Sequence, residues 1–190
     1  AERLSGRTDF VLVKDVAAGA AGAPALRRFG YRPIATDPDM VLTLRPEWRR
    51  FDDYLAGLQS KYRSGIKGAA KRLVTEGCVV APVADPAGEA PRLHALYSQV
   101  LAASRVHPVK LPAAYWPALA EAAGPDLRLT GVRRDGELLG FAATVRDGDT
   151  AVAYYLGYDR ALRGELPVYF RLLHASVEAA LEWGCRRVSF

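Results

Sequence analysis

The fold of this chain is decided by Tyr154–Phe190, YYLGYDRALRGELPVYFRLLHASVEAALEWGCRRVSF. This stretch reads as a strand, a basic loop that contains a glycine, an amphipathic helix and a second strand. The order places a helix N-terminus beside the end of a strand, where backbone N–H groups and the helix dipole favour an anion such as a phosphate. The alternative is an ordinary strand–helix–strand unit whose arginine loop is simply solvated.

Four residues of the loop and helix are candidates to bind a phosphorylated ligand. Arg160 and Arg163 carry positive charge on a planar group that suits bidentate contact with phosphate. Gly164 lets the backbone turn where a side chain would obstruct it. Tyr169 flanks the apolar stripe that we expect at Phe170, Leu173, Val177 and Leu181, and we assign it to the same ligand site.

The composition is that of an ordinary globular chain, with half of its 190 residues hydrophobic and a formal net charge of +5. No apolar run approaches the roughly 20 residues that a membrane-spanning helix needs. The two cysteines and three histidines have no metal-ligand spacing, so we expect no metal site. We expect buried free thiols, with one disulfide as the alternative, and a cytoplasmic protein. The net positive charge is compatible with a polyanionic partner such as a phosphorylated cofactor or RNA.

A long helix is predicted over Pro46–Gly77, because apolar residues recur there at helical spacing. No acidic residue separates Asp53 from Glu76, whereas five basic residues do: Lys61, Arg63, Lys67, Lys71 and Arg72. This face is either a solvated surface or a contact surface for phosphates or RNA. We single out Lys61, Arg63 and Lys67, together with Arg171 on the last helix, for substrate or RNA contact.

The rest of the chain alternates short strands and helices. We predict strands at Asp9–Val16, Met40–Leu44, Cys78–Val83, Leu127–Arg133, Glu137–Val145, Thr150–Tyr158 and Arg187–Phe190, and helices at Arg92–Ser104 and Ala113–Ala123. Asp135-Gly136 and Gly148-Asp149 predict tight turns between the strands that they join. His107 and Lys110 lie in an irregular connection, a kind of segment that often lines sites.

From Arg92 onward, this order of elements resembles the GNAT acyltransferase fold, a mixed α/β sheet. The resemblance implies that the final strand–loop–helix–strand unit binds the acyl donor, and that the last two strands splay apart around the acyl group. The loop RALRGELP departs from the usual family signature, because Gly164 stands where the family has two spaced glycines. The resemblance therefore does not imply ordinary acetyl-CoA binding.

The segment YLAGLQSKYRSGIKGAAKRLVTEGC, Tyr54–Cys78, resembles Fem-type proteins, which are tandem GNAT-fold acyltransferases with a degenerate loop in the second domain. On this resemblance, residues 1–45 are the tail of a preceding GNAT-like domain, and residues 46–190 are a second domain, truncated at its C-terminus. The chain is then expected to be part of a larger protein. The resemblance implies an acyl-CoA or aminoacyl-tRNA donor substrate, no permanently bound cofactor, and an amine acceptor, such as a peptide or cell-wall precursor.

The implied reaction is attack of an amine on a thioester or an aminoacyl ester, which benefits from a proton acceptor and an oxyanion donor. Strand alternation predicts that Tyr154 and Tyr158 share one face, with Tyr155 on the other, so either can orient the carbonyl or simply be a sheet tyrosine. Glu165 is a candidate base or a helix N-terminal acid. His174 is a candidate base, although a core histidine is the simpler interpretation.

The sequence therefore predicts an N-acyltransferase that forms an amide. The alternative is a catalytically silent GNAT-fold module that binds RNA or a protein partner, which the single-glycine loop and the basic helix favour. The sequence does not choose between acyl-CoA and charged tRNA.

Overall fold

The computed structural model of the chain describes residues 11–13, 16, 19–34, 40–104 and 109–190. The chain divides into two compact units, Ala1–Pro38 and Asp39–Phe190. In the first unit the described residues form one short helix, α1 (Ala23–Arg28). The strand predicted at Asp9–Val16 falls largely outside the described residues, and those of its residues that are described have no regular structure.

The second unit contains six strands and five α-helices in its described residues. They are β1 (Val41–Thr43), α2 (Phe51–Ala56), α3 (Ser60–Thr75), β2 (Cys78–Pro82), α4 (Ala90–Leu101), α5 (Tyr115–Ala123), β3 (Leu127–Arg134), β4 (Glu137–Asp147), β5 (Thr150–Tyr158), α6 (Val168–Glu182) and β6 (Arg187–Ser189). Short 3-10 turns precede β3 and follow β5. The predicted strands and helices from Cys78 onward are confirmed to within a few residues.

The strands form one mixed sheet in the order β1-β6-β5-β4-β3-β2. All neighbours are antiparallel except β5 and β6, which run parallel where Thr150–Val152 pair with Arg187–Ser189. Helices α4 and α5 cover one face, around the fully buried Trp116 and Phe141. Helices α3 and α6 cover the other face, around Leu73 and Leu172. The predicted mixed α/β architecture is confirmed.

The helix predicted over Pro46–Gly77 is instead two helices, α2 and α3, and the prediction of one continuous helix was wrong. The break falls at Gly57, where the Trp48 ring occupies the space that a Cβ would need, 2.6 Å from the ring. The Arg63 guanidinium then donates hydrogen bonds to the carbonyl oxygens of Ala56 and Leu58, each at 3.3 Å. These bonds satisfy carbonyls that the end of a helix leaves without partners.

Strand β1 belongs to the same sheet as the strands that follow it. Its residues Val41–Thr43 pair with Arg187–Ser189 of β6, and Leu44 donates a backbone hydrogen bond to Arg186. The compact unit begins at Asp39. The predicted boundary between residues 45 and 46 stays a prediction. The assignment of the preceding residues to an earlier GNAT-like domain stays a prediction.

Both cysteines, Cys78 and Cys185, are free and buried, as predicted. Burial raises the pKa of each thiol, so both favour the protonated form that is the less reactive one. No helix among the described residues is long and apolar enough to cross a bilayer.

Candidate active site

A cleft of about 610 Å³ opens where β5 ends and α6 begins. Its lining comes from α3, α4, β5, the loop after β5 and the first turn of α6. The lining residues are Arg72, Val100, Ala103, Tyr158, Arg160, Arg163, Gly164, Leu166, Pro167, Tyr169 and Phe170. The four residues predicted to bind a phosphorylated ligand, Arg160, Arg163, Gly164 and Tyr169, are all among them.

Three guanidinium groups give this cleft its charge. Arg160 and Arg163 come from the loop, and Arg72 reaches it from α3, more than eighty residues earlier in the chain. Within the described residues none of the three forms an ion pair, and no carboxylate lines the cleft. Three uncompensated positive charges around one concave surface create a potential that attracts anions.

The backbone amides at this end of the sheet divide into two groups. Most amides of the loop are already bonded, because those of residues 160–163, 165 and 166 donate to oxygens of the loop itself or of α4. Within the described part of the chain, the amides of Gly164, Val168, Tyr169 and Phe170 donate to no backbone or side-chain oxygen. Gly164 has a φ of 91°, and the other three open α6, where helices leave N–H groups free for an anion.

The loop is held in place from two sides. The Arg160 amide donates to Gln99 Oε1 of α4 at 3.0 Å, and the Ala161 amide donates to Asp159 Oδ1 at 3.0 Å. Gln99 itself is carried on a helix that packs directly on β5, because a Cβ at Gly157 would lie 2.5 Å from the Tyr97 nitrogen. The position of this loop is therefore coupled to the packing of α4.

Aromatic rings form the exposed rim of the cleft. The rings of Tyr158 and Tyr169 lie 5.7 Å apart, and those of Tyr169 and Phe170 lie 5.4 Å apart. Phe170 is 60% exposed, so its prediction as part of the buried stripe was wrong. Val177 and Leu181 of the predicted stripe are buried, as expected. The buried face of α6 also includes Val168, Leu172 and a series of small residues, Ala175, Ser176, Ala179 and Ala180, which allow close approach to the sheet.

Tyr154 and Tyr158 lie on opposite faces of the sheet, so the prediction that they share a face was wrong. Ala143 pairs with Tyr155 but the next residue, Thr144, pairs with Ala153, which leaves Tyr154 as an extra residue in a β-bulge. Tyr154 and Tyr155 consequently turn to the same side, with ring centroids 4.4 Å apart. Tyr158 packs on the opposite side, against the cluster that contains Leu166 and Leu172.

The bulge brings Tyr154 to a tyrosine of α5. The Tyr115 hydroxyl donates to the Tyr154 hydroxyl at 3.2 Å, and the Tyr154 side chain is 44% exposed. The Tyr115 ring packs edge-on against Trp116 and Tyr155, at 5.5 and 6.1 Å. Burial, together with the hydrogen bond to Tyr154, raises the pKa of Tyr115 well above its usual range.

Three other candidates lie outside the cleft lining. His174 packs its ring 5.8 Å from that of Phe51, and burial, with help from the Arg171 charge, lowers its pKa. Arg171 forms an ion pair with Glu178 at 2.9 Å and is largely buried. Burial also raises the pKa of Glu178 against the opposing effect of Arg171. Glu165 is exposed and precedes α6, so it does not lie in the first turn of that helix.

The basic residues of α3 have different environments. Lys61 and Lys67 are exposed, and neither forms an ion pair with a described residue. Arg63 is half-buried and engaged with the carbonyls at the end of α2. Arg72 reaches the cleft, although the sequence offered no reason to separate it from its neighbours.

The family follows from a match to residues 60–190, which fit the model of the acetyltransferase (GNAT) domain. The chain belongs to the GNAT acyltransferase family. Its membership confirms the predicted family, and the matched domain is that of acyltransferases. The cleft lies at the strand–loop–helix unit that the resemblance to GNAT proteins predicts as the donor site, and this role stays a prediction. No curated protein matches the sequence.

Solved structures support the GNAT fold at low sequence identity. FemX has a TM-score of 0.62 and 12% identity, over 89% of this chain and 60% of FemX. The C-terminal domain of a putative lysylphosphatidylglycerol synthetase from Agrobacterium fabrum has a TM-score of 0.52 and 15% identity, over 80% of this chain and 44% of that one. L-PGS from Bacillus licheniformis has a TM-score of 0.52 and 13% identity, over 89% of this chain and 49% of L-PGS. This chain therefore spans less than two thirds of each of these proteins.

Proposed function

We propose that this domain transfers an acyl or aminoacyl group from a phosphate-bearing donor in the cleft to an amine, forming an amide. The observation that carries the proposal is the convergence of Arg72, Arg160 and Arg163 with unbonded amides at the start of α6, with no carboxylate in the cleft lining. Helix N-termini and arginine forks are the usual protein partners of phosphate groups. Acyl-CoA and aminoacyl-tRNA both present phosphates, so either donor suits the cleft.

The acyl-bearing end of the donor is proposed to extend along β5 towards Tyr154. Tyr158 borders the cleft and Tyr154 precedes it by four residues on the same strand. At about 3.3 Å per residue, the two backbone positions are at most about 13 Å apart. Because the two side chains lie on opposite faces, the arm is proposed to pass the edge of β5 beyond Val152, where pairing with β6 ends. An extended arm on the donor spans such a distance. The exposed rings of Tyr169 and Phe170 offer stacking surfaces for a nucleobase of the donor.

The proposed chemistry is a direct transfer. The lone pair of a neutral amine forms the new C–N bond at the donor carbonyl, and the C–S bond of a thioester or the C–O bond of an ester breaks. The electron pair leaves on the sulfur or oxygen, which gains a proton as the amine loses one. The Tyr154 hydroxyl donates a hydrogen bond to the carbonyl oxygen as negative charge develops there.

Calorimetric binding at two salt concentrations tests the donor site. The ligands are CoA, a medium-chain acyl-CoA and a pool of charged tRNA. Because a hydrogen bond to a charged group contributes about 1.5–3 kcal/mol, Arg163→Ala should raise the Kd of the bound donor by about 10–100-fold. Arg186→Ala, an exposed arginine in the turn before β6, is the matched control and should leave the Kd unchanged.

Each outcome assigns a donor or rejects the site. Saturable binding of CoA species that Arg163→Ala weakens identifies an acyl-CoA enzyme. Binding confined to charged tRNA, with a steep dependence on salt, points to amino-acid transfer to a peptide or cell-wall precursor. If Arg163→Ala and Arg186→Ala change the Kd of the donor equally, the cleft is not the donor-binding site.

The second candidate function is a catalytically silent module that binds RNA. The exposed Lys61 and Lys67 of α3, which have no acidic partner among the described residues, favour it. Reversal of both charges to glutamate should then abolish the salt-dependent part of RNA binding. A turnover assay with charged tRNA separates the two functions, because a silent module binds the tRNA but leaves the amino acid attached.

A further inference from the structure

The bulge in β5 forms a hydroxyl pair that neither local pattern nor strand alternation predicts. Tyr154 is the residue that the strand pairing skips, and its hydroxyl accepts a hydrogen bond from Tyr115 on α5 at 3.2 Å. A phenol hydroxyl has one proton and accepts through its lone pairs. When Tyr115 donates to the Tyr154 oxygen, the proton of Tyr154 is left to point away from Tyr115.

We infer that Tyr115 is a positioning residue that aims the Tyr154 hydroxyl at the carbonyl of the acyl donor. The inference rests on the proposed function, in which Tyr154 stabilises the developing oxyanion. Tyr154 is 44% exposed, so a ligand can reach its side chain from the solvent. A donor that itself accepts a hydrogen bond donates more strongly, since bonds in a chain polarise one another.

The Tyr115 ring is fixed, as a positioning residue requires. It has edge-on contacts with Trp116 and Tyr155, and Trp116 is fully buried in the core on that face of the sheet. Tyr155 also meets Tyr97 of α4 at 5.7 Å, so the pair rests on both helices that cover this face. The raised pKa of Tyr115 keeps its hydroxyl protonated, so it stays a donor to Tyr154 rather than becoming a base.

A double-mutant cycle tests the inference with Tyr115→Phe, Tyr154→Phe and the double variant. The donor is the acyl-CoA or charged tRNA that calorimetry identifies, and hydroxylamine serves as the acceptor. Loss of an oxyanion donor costs about 10²–10³-fold in kcat, which we expect for Tyr154→Phe. Tyr115→Phe should lower kcat about 3–10-fold with KM and melting temperature unchanged, and less than 2-fold further in the Tyr154→Phe background.

Tyr54→Phe is the matched control, because this tyrosine of α2 packs in a separate aromatic cluster with Trp48 and Phe51. It should leave kcat unchanged. A second readout needs no turnover: with ¹³Cζ-labelled tyrosine, each of the nine resonances is assigned by its Tyr→Phe variant. Tyr115→Phe should shift the Tyr154 resonance, and Tyr54→Phe should not.

The results separate this inference from the proposed function. Equal losses from Tyr115→Phe in both backgrounds, a rise confined to KM, or an unmoved Tyr154 resonance would overturn the positioning role. If Tyr154→Phe leaves kcat intact, both the catalytic role of Tyr154 and the role of Tyr115 fail, whereas the donor site stands on the Arg163→Ala result. If Arg163→Ala has no effect on donor binding, the donor site fails whatever the tyrosines do.

Discussion

Substitution of Gly157 by alanine is the sharpest test of how this fold supports its cleft. A Cβ at this position would lie 2.5 Å from the Tyr97 nitrogen, 2.7 Å from the Leu96 carbonyl carbon and 2.7 Å from a Phe141 ring carbon. Two of these atoms belong to the backbone of α4, which cannot rotate away as a side chain can. The methyl group therefore forces α4 away from β5, and α4 carries the Gln99 that holds the loop.

The expected loss follows from the two opposing effects of the methyl group. Overpacking of a tight core costs about 1–3 kcal/mol. Alanine also lowers the conformational entropy of the unfolded chain, and this effect stabilises the folded state by about 0.4–1 kcal/mol. We expect Gly157→Ala to lower the free energy of unfolding by about 0.6–2 kcal/mol, and the melting temperature by about 2–4 °C per kcal/mol.

The assay is thermal and guanidinium unfolding followed by circular dichroism, beside donor binding by calorimetry. Gly65→Ala is the matched control, because Gly65 lies inside α3 with no atom within 4 Å of its Cβ position. A helix interior favours alanine over glycine by about 0.5–1 kcal/mol, so this substitution should stabilise the protein. If Gly157→Ala is as stable as the parent chain, the close packing of α4 on β5 is not a constraint and the reasoning is refuted.

Three further predictions concern the elements around the cleft. Gln99→Ala leaves the Arg160 amide without its acceptor and should raise the donor Kd several-fold, as calorimetry would detect, with little change in melting temperature. Arg63→Ala removes two hydrogen bonds at the end of α2 and should cost about 0.5–1.5 kcal/mol of stability, measured by guanidinium unfolding. Burial lowers the pKa of His174 in the folded chain below its ordinary value of 6.5. At a pH just below 6.5 the unfolded chain therefore binds more protons than the folded chain, so the free energy of unfolding falls as the pH decreases through 6.5. His174→Gln should flatten this slope by at most about 1.4 kcal/mol per pH unit; an unchanged slope in denaturation at pH 7.5 and 5.5 would contradict it.

Features that depend on neighbours in sequence were predictable here. The turn between β3 and β4 is one example, since Asp135 and Gly136 adopt φ angles of 51° and 81°. The predicted ligand-binding residues of the loop also lie together in the cleft, because they lie within ten residues of one another along the chain. Their roles towards a ligand stay predictions.

Features that depend on distant contacts were not predictable. Gln99 meets the loop across 61 residues, and its amide has no pattern in the sequence that marks it. Arg72 resembles the other basic residues of α3 until the helix is packed beside the loop. The position of Tyr154 is set by strand pairing, since one residue without a partner reverses the alternation that a linear pattern assumes.

The bulge also reveals which part of β5 is dispensable to the core. Ala151 packs against α6, Tyr155 packs towards α4 and α5, and Leu156 faces α3 and α6 again. Removal of Tyr154 alone would restore plain alternation and leave each of these side chains on the face that it now occupies. The strand is thus one residue longer than its packing demands, and that surplus residue is the tyrosine whose hydroxyl meets Tyr115.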